Sequence, residues 1–385
     1  MKLLYVTSQS GRRINGFMRS AIIAARQLNI DFTIVSNMNY ADKELYEEDC
    51  KTYGIKAEHI DCDRNPLAKK NYTLAKRQLL ELLKREKYDV VHCNTSIGGV
   101  LGRICAKKAE IPYVIYQAHG FHFWQGAPMK NWICYYPIER YLAHYTDLLI
   151  TINNADYNQA RKFKLKKNGR VVKVPGVGVD LSKYDAGMRV SKEGLVVRTA
   201  LRKAWGVSPN AVIFVSVGEL NENKNQEVAI RALAETKNPD YYYVVCGEGN
   251  KRDYLNSLAE RLGVENQVKL LGFRSDISEV LLASDCFLFM SFREGLPGAL
   301  MEAMASGLPC IASNIRGCTD LLNGSRYLFN PEDPVELASM MERILSPDEC
   351  QREVDRNTIN VMNFDLNHAI SSLRGLYESI DFYNN

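Results

Sequence analysis

Short runs rich in Val, Ile, Leu and Tyr alternate along the chain with helix-length amphipathic stretches, the pattern of parallel sheets built from strand–helix–strand units. In the first half the predicted strands are 3–7, 31–36, 89–93, 112–117, 147–152 and 171–174. In the second half they are 212–217, 241–246, 267–272, 286–291 and 309–313. Two such series predict an α/β protein of two doubly wound domains, each with ligand loops at the carboxyl ends of its strands. The periodicity breaks at Val174-Pro-Gly-Val-Gly-Val-Asp180, ahead of a charged stretch, expected to be irregular, that reaches about residue 205. The expected domains are therefore 1–175 and 176–365, with a last helix at about 366–382 returning to the first.

A chain of 385 residues has room for two domains. Its 46% hydrophobic and 24% charged content is that of a soluble globular protein, and no apolar run is long enough to predict a spanning helix. The N-terminus reads as a first strand rather than a signal peptide. Ten cysteines without a C-x-x-C pair, several of them (Cys93, Cys246, Cys286) at the ends of strand-like runs, suggest reduced, buried thiols in a cytoplasmic protein. The net charge of +4 hides an asymmetry. Residues 1–180 carry 28 Lys and Arg against 17 Asp and Glu, and the remainder 21 against 28. Basic clusters at Lys69/Lys70/Lys76/Arg77/Lys84/Arg85/Lys87 and at Lys162/Lys164/Lys166/Lys167/Arg170 suit an anionic lipid surface or a pyrophosphate-bearing acceptor, and equally a solvated charged face. No nucleic-acid-binding motif accompanies the charge.

Four turns at strand ends carry the candidate chemistry. Gly218-Glu-Leu-Asn-Glu-Asn-Lys224 places a glycine where a ligand could approach backbone, and a lysine able to neutralise phosphate. Cys246-Gly247-Glu-Gly and Leu271-Gly-Phe273-Arg274 are further glycine turns, each ordinary by itself. The fourth, Arg293-Glu294-Gly295-Leu296-Pro297-Gly298, opens an Ala/Met/Leu-rich helix whose N-terminus can dock an anion. Glu302 is expected about two turns into that helix, although Glu294 as a local cap and Glu302 as a surface residue would be the plain structural reading. All four follow strands of one expected sheet and so should line one rim. In the first half His119, after strand 112–117, could donate to a bound oxygen at its own rim. No metal-ligand spacing, G-x-S-x-G or Walker sequence is present, and Gly11-Arg-Arg-Ile-Asn-Gly16 departs from the dinucleotide fingerprint.

On these residues the chain resembles the family 4 retaining glycosyltransferases of GT-B fold, over nearly its whole length. Glu294 to Glu302 matches the family's E-x7-E signature. The GEL-x-x-N-K-N loop, the GEG turn, LLGF and the PGVGVD linker follow in family order, and HGFHF with YYPIER and TINNADY is similar to the exopolysaccharide and capsule branch. The resemblance implies two facing Rossmann-like domains, a nucleotide-diphosphate sugar (a UDP-sugar) as co-substrate with no resident cofactor or metal, and an undecaprenyl-diphosphate-linked saccharide as acceptor. It implies work in the cytoplasm at the inner face of the plasma membrane. His119 and Glu294 become the catalytic candidates. Gly218, Lys224, Gly247, Phe273, Arg274, Arg293, Gly295, Leu296, Pro297, Gly298 and Glu302 become donor-binding, with Glu302 on the ribose, Lys224 on the diphosphate and Phe273–Arg274 beside the base. One position departs: Glu219 stands where many relatives carry Arg, so either Glu219 points away or another cation, Arg293 or Arg274, is expected to supply the missing charge. A GT-B epimerase or phosphorylase, or a non-catalytic sugar-nucleotide-binding partner, are the alternatives.

Overall fold

The computed structural model describes residues 1–14, 16–63 and 69–380, and the chain divides into two compact units. The first comprises Met1–Gly178 with Leu366–Asn385, the second Val179–Asp365. The first unit holds β1 (Lys2–Gln9), β2 (Asp31–Asn37), β3 (Lys56–His59), β4 (Val90–Asn94), β5 (Tyr113–Ala118), β6 (Leu148–Thr151) and β7 (Arg170–Lys173), in the order β3-β2-β1-β4-β5-β6-β7. The second holds β8 (Val212–Val217), β9 (Tyr241–Cys246), β10 (Val268–Gly272), β11 (Cys286–Phe289), β12 (Cys310–Ser313) and β13 (Leu328–Phe329), in the order β10-β9-β8-β11-β12-β13. Every pairing between these strands is parallel.

Helices cover both faces of each sheet, so central strands are mostly apolar and deeply buried; β4 and β5 are buried at every position. Three edge strands depart from that rule: β3, Lys56-Ala-Glu-His59, and β7, Arg170-Val-Val-Lys173, have no buried residue, and β13 has only two residues. In each order one point reverses the direction of winding, between β1 and β4 in the first unit and between β8 and β11 in the second. Ligands of such sheets bind outside the strand ends at that point.

The stretch expected to be irregular contains a helix, Lys192–Ala204. Ser191 caps it by accepting from Gly194 N–H at 3.0 Å. Arg198 and Arg202 both reach Asp285, and Arg202 also donates to the carbonyls of Ala211 (2.7 Å) and Ala283 (2.9 Å). Two charges of the stretch expected to be irregular are thus spent on a loop more than eighty residues away.

The last helix, Leu366–Glu378, belongs to the first unit and packs on the helix Gly16–Gln27; positions 381 and 382 lie outside the described residues. Tyr377 Oη and His92 Nδ1 are hydrogen-bonded at 2.8 Å beneath it. Burial pulls the His92 pKa down to about 3. The folded chain therefore keeps this ring neutral where the unfolded chain, with a pKa near 6.5, binds a proton. More protons on the unfolded state means that stability is full above about pH 6.5 and falls as pH drops towards 3. At pH 5 His92 is expected to cost about 2 kcal/mol. Thermal melting at pH 7 and pH 5 checks this: His92→Gln should show a smaller acid loss than the parent, and an identical loss would contradict it.

Candidate functional site

The second unit gathers its rim around the reversal between β8 and β11. The turn after β8 is stitched to its neighbours by backbone: Gly218 N–H donates to Cys246 (2.9 Å), Leu220 to Glu248 (2.9 Å), and Gly247 to Gly272 (2.8 Å). A Cβ on Gly247 would lie 1.9 Å from the Gly218 carbonyl oxygen, so that glycine serves close backbone approach inside the protein. A Cβ on Gly218 would meet the Lys224 side chain at 3.3 Å; this glycine makes room for the lysine stem. Asn223 donates to the Arg293 carbonyl (3.1 Å) and accepts from Phe292 N–H (2.8 Å), while Asn225, in the left-handed region, reaches the Pro331 carbonyl (2.8 Å). Lys224 is thus held between two pinned asparagines. Its ammonium meets Glu294 Oε1 at 2.7 Å, across the winding reversal.

Glu294 leads into Gly295-Leu-Pro-Gly298 and the helix Gly298–Ala305. Its N-cap is Pro297, with no side-chain cap hydrogen bond, so the first N–H groups keep their capacity for an anion. A Cβ on Gly298 would meet nothing within 4 Å. Glu302 is the fifth residue of the helix, one turn in rather than the expected two, because the helix begins at Gly298. It is half-buried, burial raises its pKa, and the Tyr184 hydroxyl bonds to it.

Three further donor candidates lie at this rim or beside it. Arg274 is held by Asp276, with Nε to Oδ1 at 2.8 Å, so it is committed two residues from itself. Arg293 is exposed, and its carbonyl rather than its guanidinium joins the rim. Phe273 is 76% exposed, a free aromatic face rather than a built wall. Glu219 is exposed at the same rim, and its carbonyl accepts from Gln226 at 3.0 Å. The cation that sequence reasoning missed is Arg316. It follows β12 and donates from Nε to the Glu294 carbonyl at 3.0 Å. The neighbouring Gly317 (φ +80°) lies so close that a Cβ there would stand 2.4 Å from the Gly295 oxygen. Only the strand order could have revealed this, since it brings the loops after β11 and β12 side by side.

In the first unit the reversal lies between β1 and β4. Asn94 ends β4, and His119 follows β5. His119 Nε2 meets Asn94 Oδ1 at 3.1 Å, and the ring lies against Phe17 with centroids 3.9 Å apart. Burial draws its pKa down to about 3, so the imidazole is neutral and donates its one N–H to Asn94. His122, by contrast, bonds Ser96 Oγ at 2.8 Å and stacks on Tyr135. Thr95 holds φ +61°, a costly conformation for a β-branched residue, at the same reversal. Of the Gly11–Gly16 loop, Asn15 lies outside the described residues. Arg13 is paired there with Asp49 at 2.7 Å.

Comparison with known proteins gives two family matches. Residues 197–361 match the model "Glycosyl transferases group 1" and residues 2–153 the model "Glycosyl transferase 4-like". The chain is 34% identical over 327 residues to EpsD of Bacillus subtilis, described as a glycosyltransferase, covering 83% of this chain and 84% of the relative. It is 31% identical over 308 residues to the UDP-Gal:alpha-D-GlcNAc-diphosphoundecaprenol alpha-1,3-galactosyltransferase of Escherichia coli, covering 78% and 77%. Among solved structures, Anabaena HepE in complex with UDP and glucose superposes with a TM-score of 0.78 at 22% identity, covering 99% of this chain and all of the other, a likeness of fold.

Proposed function

The chain belongs to the family 4 glycosyltransferases of GT-B fold, and from that premise we propose that it moves a sugar from a UDP-sugar to a lipid-diphosphate-linked saccharide with retention of anomeric configuration. The observation that carries the donor half is the Lys224–Glu294 pair at the winding reversal of the second unit, beside an uncapped helix N-terminus. The acceptor half is supported by the Escherichia coli relative, whose name specifies a diphosphoundecaprenol-linked sugar. Relatives that are transferases favour glycosyl transfer over epimerisation or phosphorolysis.

In this reading the diphosphate sits at the turn 295–298. The helix N–H groups and Lys224 stabilise the charge that develops as the sugar–phosphate bond breaks. Donor binding exchanges the partner of Lys224, from the Glu294 carboxylate to the diphosphate, and frees Glu294 for the sugar hydroxyls. Glu302 takes the ribose. Arg316 holds the Glu294–Gly295 backbone, a positioning role. His119, as a neutral imidazole, contacts the donor sugar or its phosphate by releasing Asn94. The leaving phosphate accepts the acceptor's proton, and no protein base is assigned. The reaction needs no metal and belongs at the inner face of the plasma membrane.

Incubation with a panel of UDP-sugars and a lipid-diphosphate-linked GlcNAc acceptor, with and without EDTA, tests this. UDP release that depends on the acceptor and persists in EDTA is expected. UDP binding without turnover on any acceptor would favour a non-catalytic role. Loss of turnover in EDTA, restored by a divalent ion, would contradict the metal-free reading.

A further inference from the structure

The helix Met129–Ala143 turns apolar side chains towards solvent. Met129, Ile133, Ile138 and Tyr141 are 72%, 68%, 46% and 61% exposed, and Cys134 and Pro137 are exposed between them. At about 100° per residue these six share one half of the helix circumference. The same arc carries Lys130 and Arg140, with no ion-pair partner for either among the described residues. It carries no carboxylate. The one acid of the helix, Glu139, is turned inward, where it meets Arg103 at 2.7 Å and accepts from the Tyr116 hydroxyl at 3.0 Å. At the C-terminal end the positive rim continues through exposed Lys107, which lies over the Tyr145 ring at 5.3 Å, and through Lys108.

We propose that this face docks on the surface of an anionic lipid bilayer, with the helix lying in the plane of the headgroups. Apolar side chains fringed by cations and free of acid are what such a surface binds, through buried apolar area together with attraction to anionic lipid. A second copy of the chain is a poorer occupant, because a two-fold contact would set like-charged rims against each other. Pro137 fixes the depth. It has no N–H for the Ile133 carbonyl, and headgroups and water can satisfy that oxygen where hydrocarbon cannot. No helix among the described residues is long and apolar enough to cross a membrane. The lysine and arginine clusters conspicuous in the sequence are weaker candidates, since Arg77, Arg85 and Lys166 are paired with Glu81, Glu58 and Asp147. The side chains of Lys69 and Lys70 lie outside the described residues. The purpose of docking rests on the lipid-linked acceptor proposed above; the docking itself rests on this helix.

Co-flotation of the full chain with vesicles tests it, using phosphatidylcholine alone and phosphatidylcholine mixed equally with phosphatidylglycerol. The parent protein should float only with the anionic vesicles. Ile133→Asp combined with Ile138→Asp should weaken flotation at least about tenfold. Lys130→Ala and Arg140→Ala should each weaken it about fivefold, in a salt-dependent way. These residues are exposed, so melting temperature and UDP affinity should stay at parental values. Absence of parental flotation, equal flotation on both vesicles, or flotation indifferent to the Ile133/Ile138 substitutions would overturn the proposal. So would a concentration-dependent dimer dissolved by those substitutions, which would make a second copy the occupant. Loss of flotation with UDP binding intact removes the docking face alone. Loss of UDP binding with flotation intact removes the donor reading alone.

Discussion

Glu294→Gln is expected to slow sugar transfer by about a hundredfold to a thousandfold, while UDP binds at least as tightly as to the parent. The glutamine keeps size and hydrogen-bonding capacity but loses the charge that holds Lys224 at 2.7 Å. That lysine is then available to the diphosphate from the start, so product affinity has no reason to fall. What is lost is the carboxylate proposed to steady the sugar as positive character develops at its anomeric carbon. Glu302→Ala should behave in the opposite sense, weakening UDP about tenfold to a hundredfold through loss of hydrogen bonds to a charged group. Single-turnover kinetics with UDP titration separate the two. Equal and mild effects from both substitutions would contradict the division of roles between the carboxylates.

The largest effect on stability is expected from Glu139→Ala. Arg103 is 1% exposed and rests on three partners: Glu139, the Gly99 carbonyl at 2.8 Å, and the Tyr116 ring, whose centroid lies 3.8 Å from the guanidinium carbon. Burial keeps the Tyr116 hydroxyl protonated, so it donates to Glu139 and cannot supply the missing negative charge. Removing the carboxylate leaves a buried cation unpaired, a loss of about 3–5 kcal/mol and a fall in melting temperature of order ten degrees. Replacing both partners, Arg103→Met with Glu139→Leu, should recover most of it, because an apolar pair of similar volume removes the desolvation penalty. A loss below about 1 kcal/mol for Glu139→Ala would show the pair to be solvated. The pair also keeps the only acid of the helix Met129–Ala143 away from its exposed face.

The two sheets were legible because strands covered on both faces must be apolar at nearly every position, as β5, β8 and β9 are. β3 and β13 were not, the first because a polar edge strand carries no such run, the second because two residues carry no pattern. The helix Lys192–Ala204 was hidden by charges whose partner, Asp285, is remote in sequence. For the donor rim, the motifs announced which loops matter, since glycines and a helix start are local features. The pairing of Lys224 with Glu294 was not announced, because seventy residues separate them and only the order β9-β8-β11 makes their loops neighbours. Arg316 was invisible for the same reason and for one more. It acts through the backbone carbonyl of Glu294, and a contact to backbone leaves no mark on the residue type it touches. Arg274 pairs with Asp276 two residues on, an ion pair that a strand-end arginine beside an aspartate forms locally.

The most direct test of transfer with retention is the structure of the product. The chain should be incubated with a UDP-sugar that supports turnover and a lipid-diphosphate-linked saccharide, and the anomeric configuration of the new linkage read by proton NMR. The expected product carries the donor's anomeric configuration at the new glycosidic bond, formed in step with UDP release. An inverted linkage, an epimerised sugar nucleotide, or sugar phosphate released only in the presence of inorganic phosphate would contradict transfer with retention.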